Sequence, residues 1–509
     1  MLTFSRRAVV FAIFTLVSLC VAPASAQSNV MSQKRASRPD RSKGVQSEFG
    51  AADPEIASML KDVSADHIKA TIEKLVSFGN RSTLSAQDDA SIAAGKGIGA
   101  AREWIKSEFE RYSKDCGGCL EVKTDDFMQP PSRRVKDPTR LINVYAVLKG
   151  TDPESAKRIY VVSGHYDSRN TDNFNTTDPA PGANDDASGT AVSLECARVM
   201  SKHKFPATVI FLTVPGEEQG LYGSKHFADM AKKEDWNIDA MLNNDIVGGN
   251  KDPQQNPDIV RVFSEGIPTT VLTPGTPASA GTPATPGTAD ATKVRQIRSL
   301  GLEDDSASRQ LARYVLQTGQ IYSASLGSFS PQMIYRQDRY LRGGDHTSFN
   351  EAGYTAVRFT EYREDFNHQH QTPRTENGIE YGDWPKYVDF DYVANVARIN
   401  AATLASLASA PAEPANVKIE TLKLENGTDL MWSASSDGDV AQYQVLWRDT
   451  DSSRWQHLQS VGTELKAHLD ISKDNVFFAV RAVDSKGHAS LPVVPLPETR
   501  PAQPTRTPE

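Results

Sequence analysis

The sequence predicts an α/β fold: a three-layer α/β/α domain on a mostly parallel sheet, followed by a smaller all-β sandwich. Three observations predict it. Between about residues 140 and 245, short apolar, β-branched runs alternate with stretches of helical periodicity, the pattern of βαβ units. An Ala- and Pro-rich stretch at 409–415 then marks a domain linker. Beyond it, helical periodicity gives way to short alternating strands, punctuated by turn signals at Asp437-Gly438 and Lys486-Gly487.

Taken in order, Arg6 and Arg7 precede an apolar run over 8–21 and the small-x-small site Ala24-Ser25-Ala26, so residues 1–26 read as a secretory signal. Residues 27–50 are a polar, flexible lead. The α/β domain spans 51–408. A helix begins after the cap Ser64, with Ile68, Ile72 and Leu75 on one face, and a second covers 97–112. Strands follow at 141–148, 158–164, 207–214 and 238–245, with helices at 189–203 and 224–233. Residues 267–290, repetitive in Pro, Gly, Thr and Ala, cannot bury a core and read as a surface insertion. A helix at 306–317, a strand at 355–359 and a closing helix at 387–407 complete the domain. The sandwich occupies 416–497 and carries Trp432, Tyr443, Val445, Trp447 and Trp455; residues 498–509 form a disordered tail.

Composition narrows the function classes. With 24% charged and 39% apolar residues the chain is globular. Its net charge of −8, without a basic run, excludes nucleic acid as partner. After signal removal no segment is long and apolar enough to span a membrane, so a secreted or periplasmic protein is expected. Export favours a disulfide within Cys116-Gly117-Gly118-Cys119, and Cys196, in an apolar helical stretch, reads as a buried free thiol.

Five segments place His, Asp or Glu at a strand end or in a loop. They are Gly164-His165-Tyr166-Asp167, Asn184-Asp185-Asp186, Gly216-Glu217-Glu218, Asn243-Asn244-Asp245 and Gly344-Asp345-His346. Each alone is commonplace: a surface pair, a solvated turn, a helix cap. Several at the carboxyl ends of strands in one sheet are expected to converge there. Imidazoles and carboxylates meeting in one pocket suit zinc, and adjacent glutamates point different ways, so one can bind metal while the other carries a proton.

Together the segments resemble those of the co-catalytic zinc aminopeptidases of the bacterial leucyl aminopeptidase type. Their wider superfamily includes glutamate carboxypeptidases, the transferrin-receptor ectodomain and glutaminyl cyclases. The resemblance covers about residues 60–407 and implies a zinc exopeptidase-like fold with two zinc ions per chain. It implies that Asp185 bridges both ions, that Glu218 and His346 complete the ligands of one, and that His165 and Asp245 complete those of the other. It further implies Glu217 as general base, Asp167 as the partner orienting His165, and a cis peptide after Asp185. The implied reaction is removal of N-terminal residues from peptides or proteins with a free N-terminus, through a water held between the ions. A carboxypeptidase or dipeptidase on the same scaffold is the alternative; it needs a positive cluster, and Arg336, Arg339 and Arg342 are the hint. A glutaminyl cyclase works with one zinc, and the pair His165 and Asp245 argues against it. Tyr335 and Tyr340 are further candidates for contacting a developing oxyanion.

The C-terminal segment is similar to a fibronectin type III module, an immunoglobulin-like sandwich, with Val476 where many such modules carry a tyrosine. Such a module is free to bind a surface or polymer, or to act as a spacer. As a separate module, its removal after Ala410 is expected to leave hydrolysis of small substrates intact.

Overall fold

The computed structural model describes residues 49–271 and 290–498. The signal at 1–26, most of the lead, the bulk of the 267–290 insertion and most of the tail lie outside the described residues.

The α/β domain is built on eight strands: β1 (Leu120–Gln129), β2 (Thr139–Leu148), β3 (Arg158–His165), β4 (Thr208–Val214), β5 (Asn237–Asn244), β6 (Ile259–Ser264), β7 (Ser330–Ile334) and β8 (Ala356–Glu361). Their order is β1-β2-β4-β3-β5-β8-β6-β7. The sheet is more mixed than expected. The four central strands β4-β3-β5-β8 run parallel. The β1–β2, β2–β4 and β8–β6 pairs are antiparallel. The central strands, buried on both faces, are continuous apolar runs such as Thr208–Val214. The outlying β1 instead alternates polar with less polar positions and is largely exposed, which leaves no apolar run to read in the sequence.

Helices cover both faces. On one, Ala65–Ser77, Gly97–Asp115, Ala187–Met200, Ala307–Ile321 and Phe390–Ser409 bury the larger core, including Phe109, Phe211, Leu311 and Leu404. On the other, Tyr222–Lys233 and Asp345–Ala352 pack Phe227 and Phe349 against Val161, Ile210 and Met241. One contact sets the geometry of the centre. A Cβ on Gly164 would meet the Gly189 backbone at 2.2 Å, and a Cβ on Gly189 would meet the Asn244 carbonyl oxygen at 2.1 Å. Only glycine at both positions lets the helix Ala187–Met200 settle onto the ends of β3 and β5. Cys116 and Cys119 form a disulfide, and Cys196 is a buried free thiol. Among the described residues no helix is long and apolar enough to cross a membrane.

The C-terminal strands form two sheets of four and three strands. Trp432, Tyr443, Val445, Phe478 and Val480 lie in the core between them. Residues 409–415 are not a loose tether. Ala410 is buried and its carbonyl accepts from Arg158 (2.8 Å). Leu446, Trp455 and Ala479 form a small apolar cluster on the three-stranded sheet, and Trp455 Nε1 donates to Gln310 Oε1 on the helix Ala307–Ile321 (3.2 Å). Buried charges cross this junction: Arg158 Nη2 to Asp437 Oδ2 at 2.7 Å, and Arg448 Nη2 to Asp305 Oδ2 at 2.8 Å, with Arg313 on the other Asp305 oxygen at 2.9 Å. Removing residues after Ala410 would strand Asp305, Arg313 and Arg158 at a newly wetted apolar face. The sandwich is tied into the α/β domain by these buried charges, so its deletion should lower stability.

Two predictions follow from this junction. Asp437 accepts from Arg158, from Ser155 Oγ (3.0 Å) and from the Ala412 N–H (3.0 Å). Asp437→Ala should therefore lower unfolding free energy by about 3 kcal/mol in denaturant titrations, because it leaves Arg158 buried without its counter-charge. His488, 7% exposed, bonds Asp484 Oδ2 through Nδ1 (2.8 Å) and Asp53 Oδ2 through Nε2 (2.9 Å). Burial alone would depress its pKa, but the contacts with Asp484 and then Asp53 outweigh it and raise the pKa. Its stabilisation is thus complete below its unfolded pKa of about 6.5 and is lost as pH rises through the folded value. Both aspartates are shifted downward, so their contribution fades only in acid. The Tm advantage of wild type over His488→Asn should be largest near pH 5–6 and shrink steadily toward pH 9.

Candidate metal centre

The four parallel central strands each deliver a ligand type at their carboxyl ends. His165 is the last residue of β3, and Asp245 directly follows β5. β4 runs through a turn at Gly216 (φ 82°) into the short helix Glu217–Gly220, which carries Glu217 and Glu218. The loop after β8 carries His370. Asp185 comes from the crossover between β3 and the helix Ala187–Met200, and the Asp185–Asp186 peptide is cis.

These side chains meet. Asp185 Oδ1 lies 3.2 Å from His165 Nε2, and Asp185 Oδ2 lies 2.8 Å from His370 Nε2. Asp245 Oδ1 is 3.9 Å from His165 Nε2, and Glu218 Oε1 is 3.0 Å from His370 Nε2. Two groups result, His165-Asp185-Asp245 and Asp185-Glu218-His370, each able to hold a metal ion and sharing Asp185. The surroundings fix the ligands. Asp167 faces His165 Nδ1 with its carboxylate (3.2 Å) and its carbonyl (3.1 Å), and is itself held by Thr83 Oγ1 (2.6 Å). Arg358, fully buried, holds Asp245 Oδ1 (2.8 Å) and Asp338 Oδ2 (3.2 Å). Asp383 accepts from the Asn184 and Asp185 backbone N–H groups (2.8 and 2.7 Å), and Asp186 accepts from the His165 N–H (3.0 Å).

His346 is not part of this cluster, although the resemblance assigned it there. Its Nε2 meets the Gln337 carbonyl (2.8 Å) and lies 3.6 Å from Asp338. Asp345 and His346 open a helix, where successive side chains diverge by about 100°. Asp345 is itself fully buried, and neither of its carboxylate oxygens has a hydrogen-bond partner. His370 stands instead beside Asp185 and Glu218. It stands nine residues beyond the end of β8, in Asn367-His368-Gln369-His370, with φ 55°. The strand-end rule could have found it by following β8 forward, although His368 offers an equal candidate there. His368 instead bonds Asp365 (2.7 Å) and stacks on Tyr387.

The electrostatics call for cations. Burial would depress the His165 pKa, but the Asp186 charge and the contacts with Asp167 and Asp185 raise it well above its ordinary value. Burial likewise opposes His370, yet Glu218 and Asp185 push it up to about 10. Burial would raise Asp185, but the His370 charge and His165 contact hold it well below the carboxylate range. Burial drives Glu217 well above that range, with Asp245, Glu218 and Asp345 adding to the effect. Asp345 is pushed up to about 7 by burial. His165 Nε2, Glu218 Oε1 and Asp245 Oδ2 are buried without a hydrogen-bond partner. Buried donor atoms of this kind, facing one another in an acid-rich site, fit a divalent ion of the zinc type.

The centre opens on a cleft of about 590 Å³ lined by Glu217, Leu221, Leu341, Phe366 and several arginines. Arg339 and Arg342 line it but pair with Glu364 (3.3 and 2.7 Å). Arg336 lies over the exposed Tyr340 ring, and Tyr335 stacks under Arg309. Neither tyrosine lines the cleft.

Separating the two histidines tests this arrangement. His370→Ala should lower bound metal measurably by atomic spectroscopy after dialysis. His346→Ala should leave metal content intact while lowering Tm.

Residues 143–265 match the model of peptidase family M28. A probable zinc metalloprotease of Pyrenophora tritici-repentis (strain Pt-1C-BFP) is 44% identical over 447 residues, covering 87% of both chains. Another from Leptosphaeria maculans is 43% identical, covering 88% of this chain and 98% of its own. The LapA aminopeptidase structure from Legionella pneumophila aligns at a TM-score of 0.46 and 20% identity, over 70% of this chain and 75% of that one. With relatives this similar across most of their length and the M28 match spanning four of the five segments, the chain belongs to peptidase family M28 and is a metallopeptidase.

Proposed function

We propose that this chain is an exported zinc aminopeptidase that holds two zinc ions and removes residues from the free N-terminus of peptides. The observation that carries the reading is the single Asp185 carboxylate, one oxygen toward each of two histidine-carboxylate groups. In this reading Asp185 would serve both ions, His165 and Asp245 would complete one set, and Glu218 and His370 would complete the other. Bound zinc supplies Lewis acidity, polarising the scissile carbonyl and lowering the pKa of water toward neutrality. The probable zinc metalloproteases among its relatives support the choice of metal.

The chain's own residues do the rest. Glu217 lines the cleft beside the cluster. Its carboxylate is placed to take a proton from the attacking water and deliver it to the departing amine nitrogen. Asp167 keeps the His165 ring proton on Nδ1, so Nε2 presents its lone pair. The carboxylate-rich wall favours a substrate's ammonium group, and the pairing of Arg339 and Arg342 with Glu364 leaves these arginines engaged. One observation favours the carboxypeptidase or dipeptidase reading: Arg134, which lines the cleft and donates to the Glu218 carbonyl (2.8 Å), keeps further N–H groups for a substrate carboxylate. The leader at 1–26 supports export. The paired C-terminal sheets with Trp432 in their core suit a fibronectin type III-like spacer or binding module.

A panel of free and N-acetylated aminoacyl anilides decides between the readings. Free forms should be cleaved, acetylated forms should resist, chelator should stop the reaction and zinc should restore it. Preference for acetylated substrates ending in a free carboxylate would establish the Arg134 reading instead. Glu217→Gln should keep its zinc and lose about 10²–10⁴-fold in kcat. Near-normal turnover in that variant rules Glu217 out as the base.

A further inference from the structure

The two histidines at the centre are held in opposite ways. His165 Nδ1 faces acceptor oxygens, the Asp167 carbonyl at 3.1 Å and carboxylate at 3.2 Å. That arrangement keeps the ring proton on Nδ1 and leaves Nε2 bare for an ion. His370 Nδ1 faces Arg169 Nη2 at 2.7 Å. A guanidinium has only donors and a fixed positive charge, so this contact sets a cation directly against the ring. Yet Nε2 is the atom aimed at Asp185 and Glu218. The same guanidinium sets its Nε 3.0 Å from Glu218 Oε2 and donates a further N–H to Asn173. One cation therefore touches both outer ligands of one half-site. Arg358 also touches a ligand, Asp245, but it reaches Asp338 as well, a carboxylate it shares with Arg339, and it meets no histidine. On the far side of Arg169 stands the neutral Asn173.

We propose that Arg169 is a resident counter-cation of the Glu218/His370 half-site, which makes that half-site the weaker and more exchangeable of the two. Filling that half-site would bring a second positive charge to contact distance of the guanidinium and so would displace it from His370 Nδ1 and Glu218. This inference rests on the two-zinc reading. A merely orienting arginine would act in the other direction: losing it would loosen the ion, as losing a group that orients a ligand commonly does.

The test uses the full-length, zinc-loaded enzyme, dialysed against graded chelator, with retained zinc counted by atomic spectroscopy. Wild type should release zinc in two steps, one equivalent leaving at chelator strength at least about tenfold lower than the other. In Arg169→Met the weak step should tighten by about tenfold or more, since a unit charge at contact distance has gone. Arg169→Lys keeps the charge and should keep the two steps apart. Arg169 is 19% exposed, on the segment after β3, so neither change disturbs the core. Weaker or unchanged zinc retention in Arg169→Met overturns the proposal. Two equivalents released together from wild type overturn it while leaving the two-zinc reading intact. A wild type that saturates at one zinc overturns both.

Discussion

The catalytic half of this protein is arranged around holding one carboxylate, that of Asp185, in a buried position with an oxygen toward each of two imidazoles. Such a group cannot hold itself there. Its backbone is clamped by Asp383, and its neighbour Asp186 accepts from the N–H groups of His165, Gly189 and Ile246. Asn184 is tied to Glu361 at the end of β8 (3.1 Å). Arg81, wholly buried, donates to the carbonyls of Tyr166, Pro181 and Gly182 on either side of the same crossover. Burial draws the Arg81 pKa down to about 10 despite the surrounding aspartates. Desolvating this many carboxylates opposes folding, and a divalent ion bound only by the folded state reverses much of that opposition. Metal affinity and stability are thus coupled in this chain.

The sandwich answers a different constraint. The helix Ala307–Ile321, packed against β6, β7 and β8, also carries Arg313, and the segment leading into it carries Asp305; these meet Arg448 on the sandwich. Trp455 adds apolar cover and donates to Gln310 (3.2 Å). A buried carboxylate shared by two arginines, one on a helix of the α/β domain and one on a sandwich strand, fixes their relative placement more sharply than it stabilises them. The sheet that carries the metal ligands therefore shares its helical layer with the C-terminal module, which makes a free-swinging appendage physically implausible.

The central strands were legible because they are apolar on both faces and end in acids or histidine. Their order brings His165, Glu218 and Asp245 together, as the strand-end rule requires. The edges were not: β1 is an amphipathic, half-exposed strand, and β7 carries Pro331 in only five residues. His346 misled because a motif identifies a segment, while the helical start at Asp345 decides which side chain turns inward. His370 was hidden because nothing local marks it. It sits in a polar loop, and what selects it over His368 is contact with residues 152 and 185 positions away in the chain, Glu218 and Asp185. Asp383 and Arg81 were invisible for the same reason, since their partners lie far off in sequence and a lone Asp or Arg carries no periodic signature.

Backbone strain adds a last link between fold and site. Seven non-glycine residues among those described have positive φ, and Leu221, Ile246, Leu341 and His370 are four of them. Leu221, Leu341 and His370 line the cleft, and Ile246 directly follows Asp245. For branched or bulky residues this conformation costs on the order of 1–3 kcal/mol each and persists only where the surroundings over-determine it. Here the surroundings do so: Ile246 donates to Asp186 and receives the Glu361 and Thr360 donors, while its side chain is buried. Leu341 differs, being 92% exposed at the mouth of the cleft, so no apolar burial offsets its strain. A residue that is both strained and uncovered at the entrance of a catalytic cleft is placed to contact what enters.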